Sequence, residues 1–357
     1  MNDMMPKLGL GLIGCGRIMR LVYMKVLATL PEIRVVAIAE PDAGSREQAA
    51  RCFPDARSAE DFRHLLDWQD VDAVLITAPT FLHSQISTLA FEAGKHVYLE
   101  KPLATDLDEA AGVISAWRSA GTAGMIGFNF RYDTRYQEIR RRISAGEVGH
   151  PLAVRTVFMT ARKSMPPWKQ SRVSGGGALM ELASHDIDLV RFTCGEVATV
   201  QAELQTLEYE HDLTRIVLHL KDGPCVECLA STCGVDEGRF EIYGDRGKLT
   251  VDRLHSASVE WQPAVFDYSG VSALWTGLRA AVNRLPRVAA LRGRGPRHSY
   301  RAALGEFAKA ARTGIACTPD LEDGYRSLAI VAAAELAAIE GRAVSLAEVS
   351  GENSTGG

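Results

Sequence analysis

The sequence predicts an α/β chain of two domains: an N-terminal doubly wound parallel sheet, then an α+β domain with a large, mostly antiparallel open sheet. Three observations carry this. Over residues 8 to about 127, short apolar runs alternate with helical patterns, as consecutive βαβ units do. After Gly149 the rhythm becomes strand, turn, strand, with Asp222-Gly223 marking a hairpin. The chain of 357 residues exceeds the roughly 150 of an average domain. The expected boundaries are 1–127 for the first domain, 128–345 for the second and 346–357 for a flexible tail.

In the first domain, strands are expected at 8–13, 33–39, 73–77, 96–99 and 123–128. Helices are expected at 17–30, stopped by Pro31, at 59–67, opened by Ser58 with Asp61, and at 83–93, stopped by Gly94. In the second domain, strands are expected at 152–161, 197–207, 213–220, 225–231, 239–243 and 248–252. One helix, 178–193, interrupts them, and two more close the chain at 300–312 and 321–340.

Composition excludes several classes. Hydrophobic residues at 46% and charged residues at 24% are ordinary for a folded globular protein. A net charge of -4 argues against whole-protein attraction to nucleic acid. Seven irregularly spaced cysteines do not form a disulfide framework and fit a reducing, cytoplasmic setting. The first apolar run is too short for a signal sequence, and the run 328–339 is interrupted by Glu335 and too short for a membrane span. Cys225-x-x-Cys228 with Cys233 has metal-like spacing. On a strand, however, residues three apart face opposite sides, so no metal site is expected.

Gly14-Cys15-Gly16-Arg17-Ile18-Met19 follows a strand and opens a helix, the context that makes G-x-G-x-x-G a dinucleotide fingerprint of a Rossmann domain. Its glycines let the backbone approach a pyrophosphate lying on the helix N-terminus, so Gly14, Gly16, Arg17 and Ile18 are expected at the cofactor. Gly9 to Gly14 matches the same pattern but lies inside the strand. Met19 departs from the small residue that close helix–strand packing wants. Glu40 ends the second strand, where a carboxylate accepts ribose hydroxyls and repels the extra phosphate of NADP. The expected cofactor is therefore NAD rather than NADP, with Asp42 and Arg46 as rival contacts.

Lys101, in Glu100-Lys101-Pro102, ends the strand 96–99 at the carboxyl edge of the sheet, where such folds bind ligands. Its ammonium there can hydrogen-bond a substrate oxygen and stabilise charge developing on it. The run Gly175-Gly176-Gly177 feeds a helix carrying Glu181 and His185 at i, i+4, and its glycines would permit close approach of a ligand. His185 suits a general base for a hydroxyl that loses its proton as its carbon gives up hydride, with Glu181 orienting it.

Several of these motifs, in this order, resemble the glucose-fructose oxidoreductase and inositol dehydrogenase family, also called Gfo/Idh/MocA. The resemblance spans residues 7 to about 345 and rests on the fingerprint, Thr77-Ala78-Pro79 with His83, Glu100-Lys101-Pro102, Gly127-Phe128-Asn129-Phe130-Arg131 and Gly175 to Asp188. It implies that Lys101 and His185 are the catalytic pair, with Glu181 where the family often has Asp. It places Thr77, Pro79, His83 and Glu100 on the cofactor side and Asn129 and Arg131 on the substrate side. It also implies a homodimer or homotetramer. The activity implied is hydride transfer between a nicotinamide cofactor and a ring hydroxyl or ketone of a sugar, cyclitol or sugar derivative. The alternatives are a glycoside-cleaving enzyme that retains NAD and a non-catalytic NAD-binding regulator.

Two basic stretches remain. Arg162, Lys163, Lys169 and Arg172 lie beside Trp168 without an acid. We expect Trp168, Lys169 and Arg172 to contact substrate, with an anionic or nucleotide-linked sugar as one variant and a solvated loop as the other. Between Asp267 and Glu306 stand seven arginines, Arg279, Arg284, Arg287, Arg292, Arg294, Arg297 and Arg301. Beside them Leu274, Leu278, Val282 and Leu285 form an apolar stripe. A membrane surface is one reading of that pattern, behind a solvated helix.

Overall fold

The computed structural model describes residues 6–264 and 297–350. The apolar stripe 274–285 and most of the arginines beside it lie outside the described residues.

The chain forms two compact units. The first comprises Met1–Asn129, Val173–Gly175 and Ser299–Leu328. Its core is a six-stranded sheet in the order β3-β2-β1-β4-β5-β6, with every neighbouring pair parallel. The strands are β1 (Leu8–Ile13), β2 (Ile33–Ala39), β3 (Arg57–Ala59), β4 (Ala73–Ile76), β5 (His96–Leu99) and β6 (Gly124–Ile126). Every residue of β1 and β4 is buried, as expected when helices cover both faces of a parallel sheet. Gly9 and Gly11 lie inside β1, which settles the register of the glycine pattern in favour of Gly14.

Two expected helices differ. The segment 17–30 begins as a π-helical turn, Met19–Tyr23, and only then becomes α1 (Met24–Leu27). Met19 is fully buried at its start, and the wider turn gives the long side chain room where a tight α-turn wants Gly or Ala. The segment 59–67 divides into β3, paired to β2, and a short helix α3 (Arg63–Leu66). Two helices of this unit were not expected, nor was α6 (Thr134–Ser144) of the second unit. Both α2 (Ala43–Cys52) and α5 (Leu107–Ala120) start at aspartate caps, Asp42 accepting from Ser45 N–H and Asp106 from Glu109 N–H. The helix α4 (His83–Glu92) is as expected.

The chain returns to this unit late. Helix α8 (His298–Thr313) packs Tyr300 on Tyr23 and Phe307 on Tyr98 of β5, so residues far beyond 127 complete the first domain's core.

The second unit comprises Phe130–Arg172, Gly176–His298 and Ala329–Gly357. It holds an eight-stranded sheet in the order β13-β12-β11-β7-β10-β9-β8-β14, in which β8 is Val197–Gln205, β11 Glu237–Gly244, β12 Gly247–Asp252, β13 Glu260–Pro263 and β14 Val344–Ser345. All neighbours are antiparallel except β7 (Pro151–Ala161) with β10 (Cys225–Gly234). On β9 (Leu213–Leu220), Thr214, Ile216, Leu218 and Leu220 are buried and their neighbours are not, the period of a one-faced sheet. The connection from β9 to β10 uses residues 221–224, longer than the expected two-residue turn, and ends on Pro224, which has no N–H to pair. Cys225 is exposed and Cys228 buried, on opposite faces of β10.

The expected tail from 346 starts as a helix, α10 (Leu346–Ser350), anchored by Glu348 accepting the Ser345 N–H at 2.8 Å and pairing with Arg342 at 2.7 Å. Among the described residues, no helix is long and apolar enough to cross a membrane.

Candidate functional site

In the first unit, β1 ends at the fingerprint. Gly14 has φ +86°, and a Cβ there would lie 2.8 Å from Ala78 N and 2.9 Å from Thr77 C. Only glycine permits this turn to press so closely on the end of β4. Thr77 fastens it, its Oγ1 donating to Gly14 O at 2.7 Å and its N–H to Ile13 O at 2.9 Å. Gly16 has no protein atom within 4 Å of its Cβ position, so its outer side is open. A tight turn, an open glycine and unpaired helix N–H groups make a cradle into which a dinucleotide pyrophosphate fits.

Glu40 stands over that turn. Its Oε2 accepts the Cys15 N–H at 2.6 Å and its Oε1 the Asp42 N–H at 3.0 Å. Arg46, the rival contact, donates to Glu40 O at 2.6 Å and Pro41 O at 3.1 Å and pairs with Glu60 at 3.0 Å. Burial, then the Glu40 charge, pushes the Cys15 thiol up to about 12, so it stays a neutral packing group.

His83 is buried, with Nδ1 2.7 Å from Pro102 O and Nε2 2.9 Å from Ala78 O. Its ring thus ties the end of β4 to the turn after β5, and both nitrogens are used within the protein. In that turn, the Glu100 carboxylate accepts the Tyr23 hydroxyl at 2.5 Å and the Lys101 N–H at 3.1 Å. Pro79 precedes the short turn Thr80–Leu82. Gly175 (φ +89°) lies against Thr80, whose Cβ would be 2.5 Å from a Cβ on the glycine. At this position the glycine run makes room for protein rather than for ligand.

In the second unit, Glu181 lies in a π-helical turn, Leu179–Ala183, and His185 follows in α7 (Ser184–Cys194). Two π-helical turns thus sit at the two motifs expected to carry function, the usual place for such turns. The His185 ring packs against Phe130 at 4.7 Å and Phe158 at 6.2 Å between centroids. Beneath the same two rings lies the Arg253 guanidinium, 4.6 Å from Phe130 and 4.0 Å from Phe158. It is paired with Asp186 at 2.5 Å and donates to the Tyr136 hydroxyl at 3.1 Å.

The basic loop is internally neutralised. Arg162 pairs with Glu208 at 2.9 Å, Lys163 with Asp236 at 3.8 Å, and Lys169 with Glu181 at 2.5 Å, while Arg172 pairs with Glu335 through two nitrogens. Lys169 also sits 4.9 Å over the Trp168 ring. Two residues expected at the substrate are engaged inside their own units. Asn129 donates to Ser299 Oγ at 2.9 Å, and Arg131 grips Asp188 bidentately at 2.6 and 2.9 Å.

Sequence reasoning did not single out Tyr23, Phe158 or Arg253. Tyr23 had a signal, since it lies on the helix opened by the fingerprint. Phe158 and Arg253 had none, because Phe158 meets His185, and Arg253 meets Phe158, only through packing between residues distant in the chain.

Comparison with known proteins gives a consistent picture. A family model described as an oxidoreductase family with an NAD-binding Rossmann fold matches residues 8–128. The model of the GFO/IDH/MocA C-terminal domain matches residues 136–250. The uncharacterized oxidoreductase YrbE of Bacillus subtilis is 30% identical over 267 residues, covering 72% of this chain and 77% of that protein. The myo-inositol 2-dehydrogenase of Thermotoga maritima is 28% identical over 354 residues, covering 96% and 99%. Among solved structures, the WlbA dehydrogenase from Bordetella pertussis, in complex with NADH and UDP-GlcNAcA, superposes with a TM-score of 0.81 at 21% identity over 97% of this chain and 99% of that one. A levoglucosan dehydrogenase with NADH and levoglucosan does so at 0.79 and 24%, over 96% and 100%. These two likenesses speak to the fold.

Proposed function

The chain belongs to the GFO/IDH/MocA family of oxidoreductases with an NAD-binding Rossmann fold, and from that premise we propose that it is an NAD-dependent dehydrogenase of a ring hydroxyl on a sugar, cyclitol or sugar derivative. The observation that carries the reading is Lys101 in its turn at the carboxyl edge of the parallel sheet, tied through His83 to the strand end that the fingerprint presses on. The relative named for myo-inositol supplies the substrate class.

Bound NAD supplies the hydride acceptor. Gly14, Gly16, Arg17 and Ile18 hold its pyrophosphate and Glu40 its ribose. Thr77 and Pro79 shape the floor beneath, while His83 and Glu100 serve the cofactor side by holding the loops around it. Because Arg46 is committed to two carbonyls and Glu60, Glu40 governs the choice, and the reading is NAD over NADP. As hydride leaves the carbon, the hydroxyl proton passes to an imidazole nitrogen of His185, and the Lys101 ammonium donates to the oxygen and stabilises its charge. Glu181, paired with Lys169, steadies the turn before His185. Trp168, Asn129 and Arg131 shape the substrate side, the last two through their neighbours, and Arg172 anchors the loop.

The test is a panel of cyclitols, anhydrosugars and uronates offered with NAD, reading NADH formation. Stoichiometric NADH from a ring polyol supports the proposal. A protein that keeps NAD bound and consumes a glycoside without net NADH is the NAD-retaining glycoside-cleaving enzyme instead.

A further inference from the structure

Outside the motifs, Tyr23 is a side chain bound to the Glu100-Lys101-Pro102 turn. It ends the π-helical turn after the fingerprint and is fully buried. Its Oη donates to Glu100 Oε1 at 2.5 Å, and the other oxygen of that carboxylate, Oε2, accepts the Lys101 main-chain N–H at 3.1 Å. Behind the carboxylate, a Cβ on Gly127 would come within 3.1 Å of Glu100 Cα, Cδ and Oε2, so the end of β6 limits where the group can turn. The Tyr23 ring is held edge-on by Tyr300 at 5.3 Å and Tyr98 at 6.1 Å, and Tyr98 in turn by Phe307 at 5.6 Å. Burial, then the Glu100 charge, raises the Tyr23 hydroxyl well above the ordinary phenol range, so it remains a donor.

We infer that Tyr23 is a positioning residue for Lys101: by holding Glu100, it fixes the main chain from which the lysine reaches the reacting oxygen. The inference rests on the reading of Lys101 as catalytic. A carboxylate braced by two donors cannot rotate away from the Lys101 N–H without losing a charge-assisted bond in a half-buried place. Small displacements of a catalytic group lower turnover more than binding.

Tyr23→Phe removes one hydroxyl and keeps the packed ring. With NAD and the best-used polyol of the panel, kcat is expected to fall about tenfold, the loss of one hydrogen bond to a charged group. The Kd for NADH stays within about twofold. In the NADH-loaded protein, the Lys101 amide is expected to exchange faster with solvent. Because both changes break one relay, the double variant Tyr23→Phe/Glu100→Gln loses no more than the worse single variant. Lys101→Met, assayed alongside, separates the two ways of failing. If Lys101→Met retains full activity, the catalytic reading falls and the inference with it. If Lys101→Met is inactive while Tyr23→Phe matches wild type in kcat and in Lys101 amide exchange, the positioning role alone is overturned. A loss confined to cofactor affinity, or losses that multiply in the double variant, also overturn it.

Discussion

The two turns that present the proposed catalytic pair are held by different physics. Lys101 is held from the main chain: its N–H, the Glu100 carboxylate, the Tyr23 hydroxyl and the His83 ring form bonds among buried or half-buried groups. Glu181, one turn before His185, is held by the tip of a long side chain, Lys169, in a pair 29% and 17% exposed. Between these extremes lies the support behind His185, a buried Arg253–Asp186 pair capped by two phenylalanine rings. The difference teaches that only the Lys169–Glu181 pair is open to salt screening and to rearrangement when substrate arrives.

The sharpest way to break this comparison is at the pair itself. Lys101→Met and His185→Ala should each lower kcat by about 10²–10⁴-fold, the usual worth of a positioned acid or base, with NADH affinity retained. A full loss of NADH binding instead would make these residues structural. Next in size is Arg253→Met, which leaves the Asp186 carboxylate buried and uncompensated. Chemical denaturation should register a loss of about 3–5 kcal/mol, against which a neutral result would show that the pair contributes nothing. Gly14→Ala places a Cβ against Ala78 N at 2.8 Å and a side chain at φ +86°. It should weaken NADH at least about tenfold, through ~1–2 kcal/mol of backbone strain expressed at the cradle. Lys169→Met comes last. Its effect on stability should stay under about 1 kcal/mol, and the wild-type contribution should shrink in high salt, as a partly exposed pair requires. A salt-independent loss would place Lys169 with the buried group.

How much of this was legible in the sequence follows from the range of the forces involved. The parallel sheet, the fingerprint turn and the helix bearing Glu181 and His185 are written in local periodicity and in glycines, and they stand where expected. The π-helical turn at Met19 was readable only as a misfit, because a pattern shows that a residue is too large but not how the backbone makes room. The pairing of Lys169 with Glu181, of Arg172 with Glu335 and of Arg131 with Asp188 was not legible, since charges that look unopposed along the chain find partners across strands and turns. Nor was the return of α8 to the first unit, which depends on Phe307 meeting Tyr98 and Tyr300 meeting Tyr23. Runs of basic residues are therefore weak evidence for an anion site, and glycine runs weak evidence for a ligand, until their neighbours are known.

The most direct test of the central claim is calorimetric titration of the protein, stripped of cofactor, with NADH and with NADPH, repeated on Glu40→Ala. The account predicts clear preference for NADH, lost or much reduced in Glu40→Ala. Preference for NADPH, or no binding of either by the wild-type protein, would contradict it.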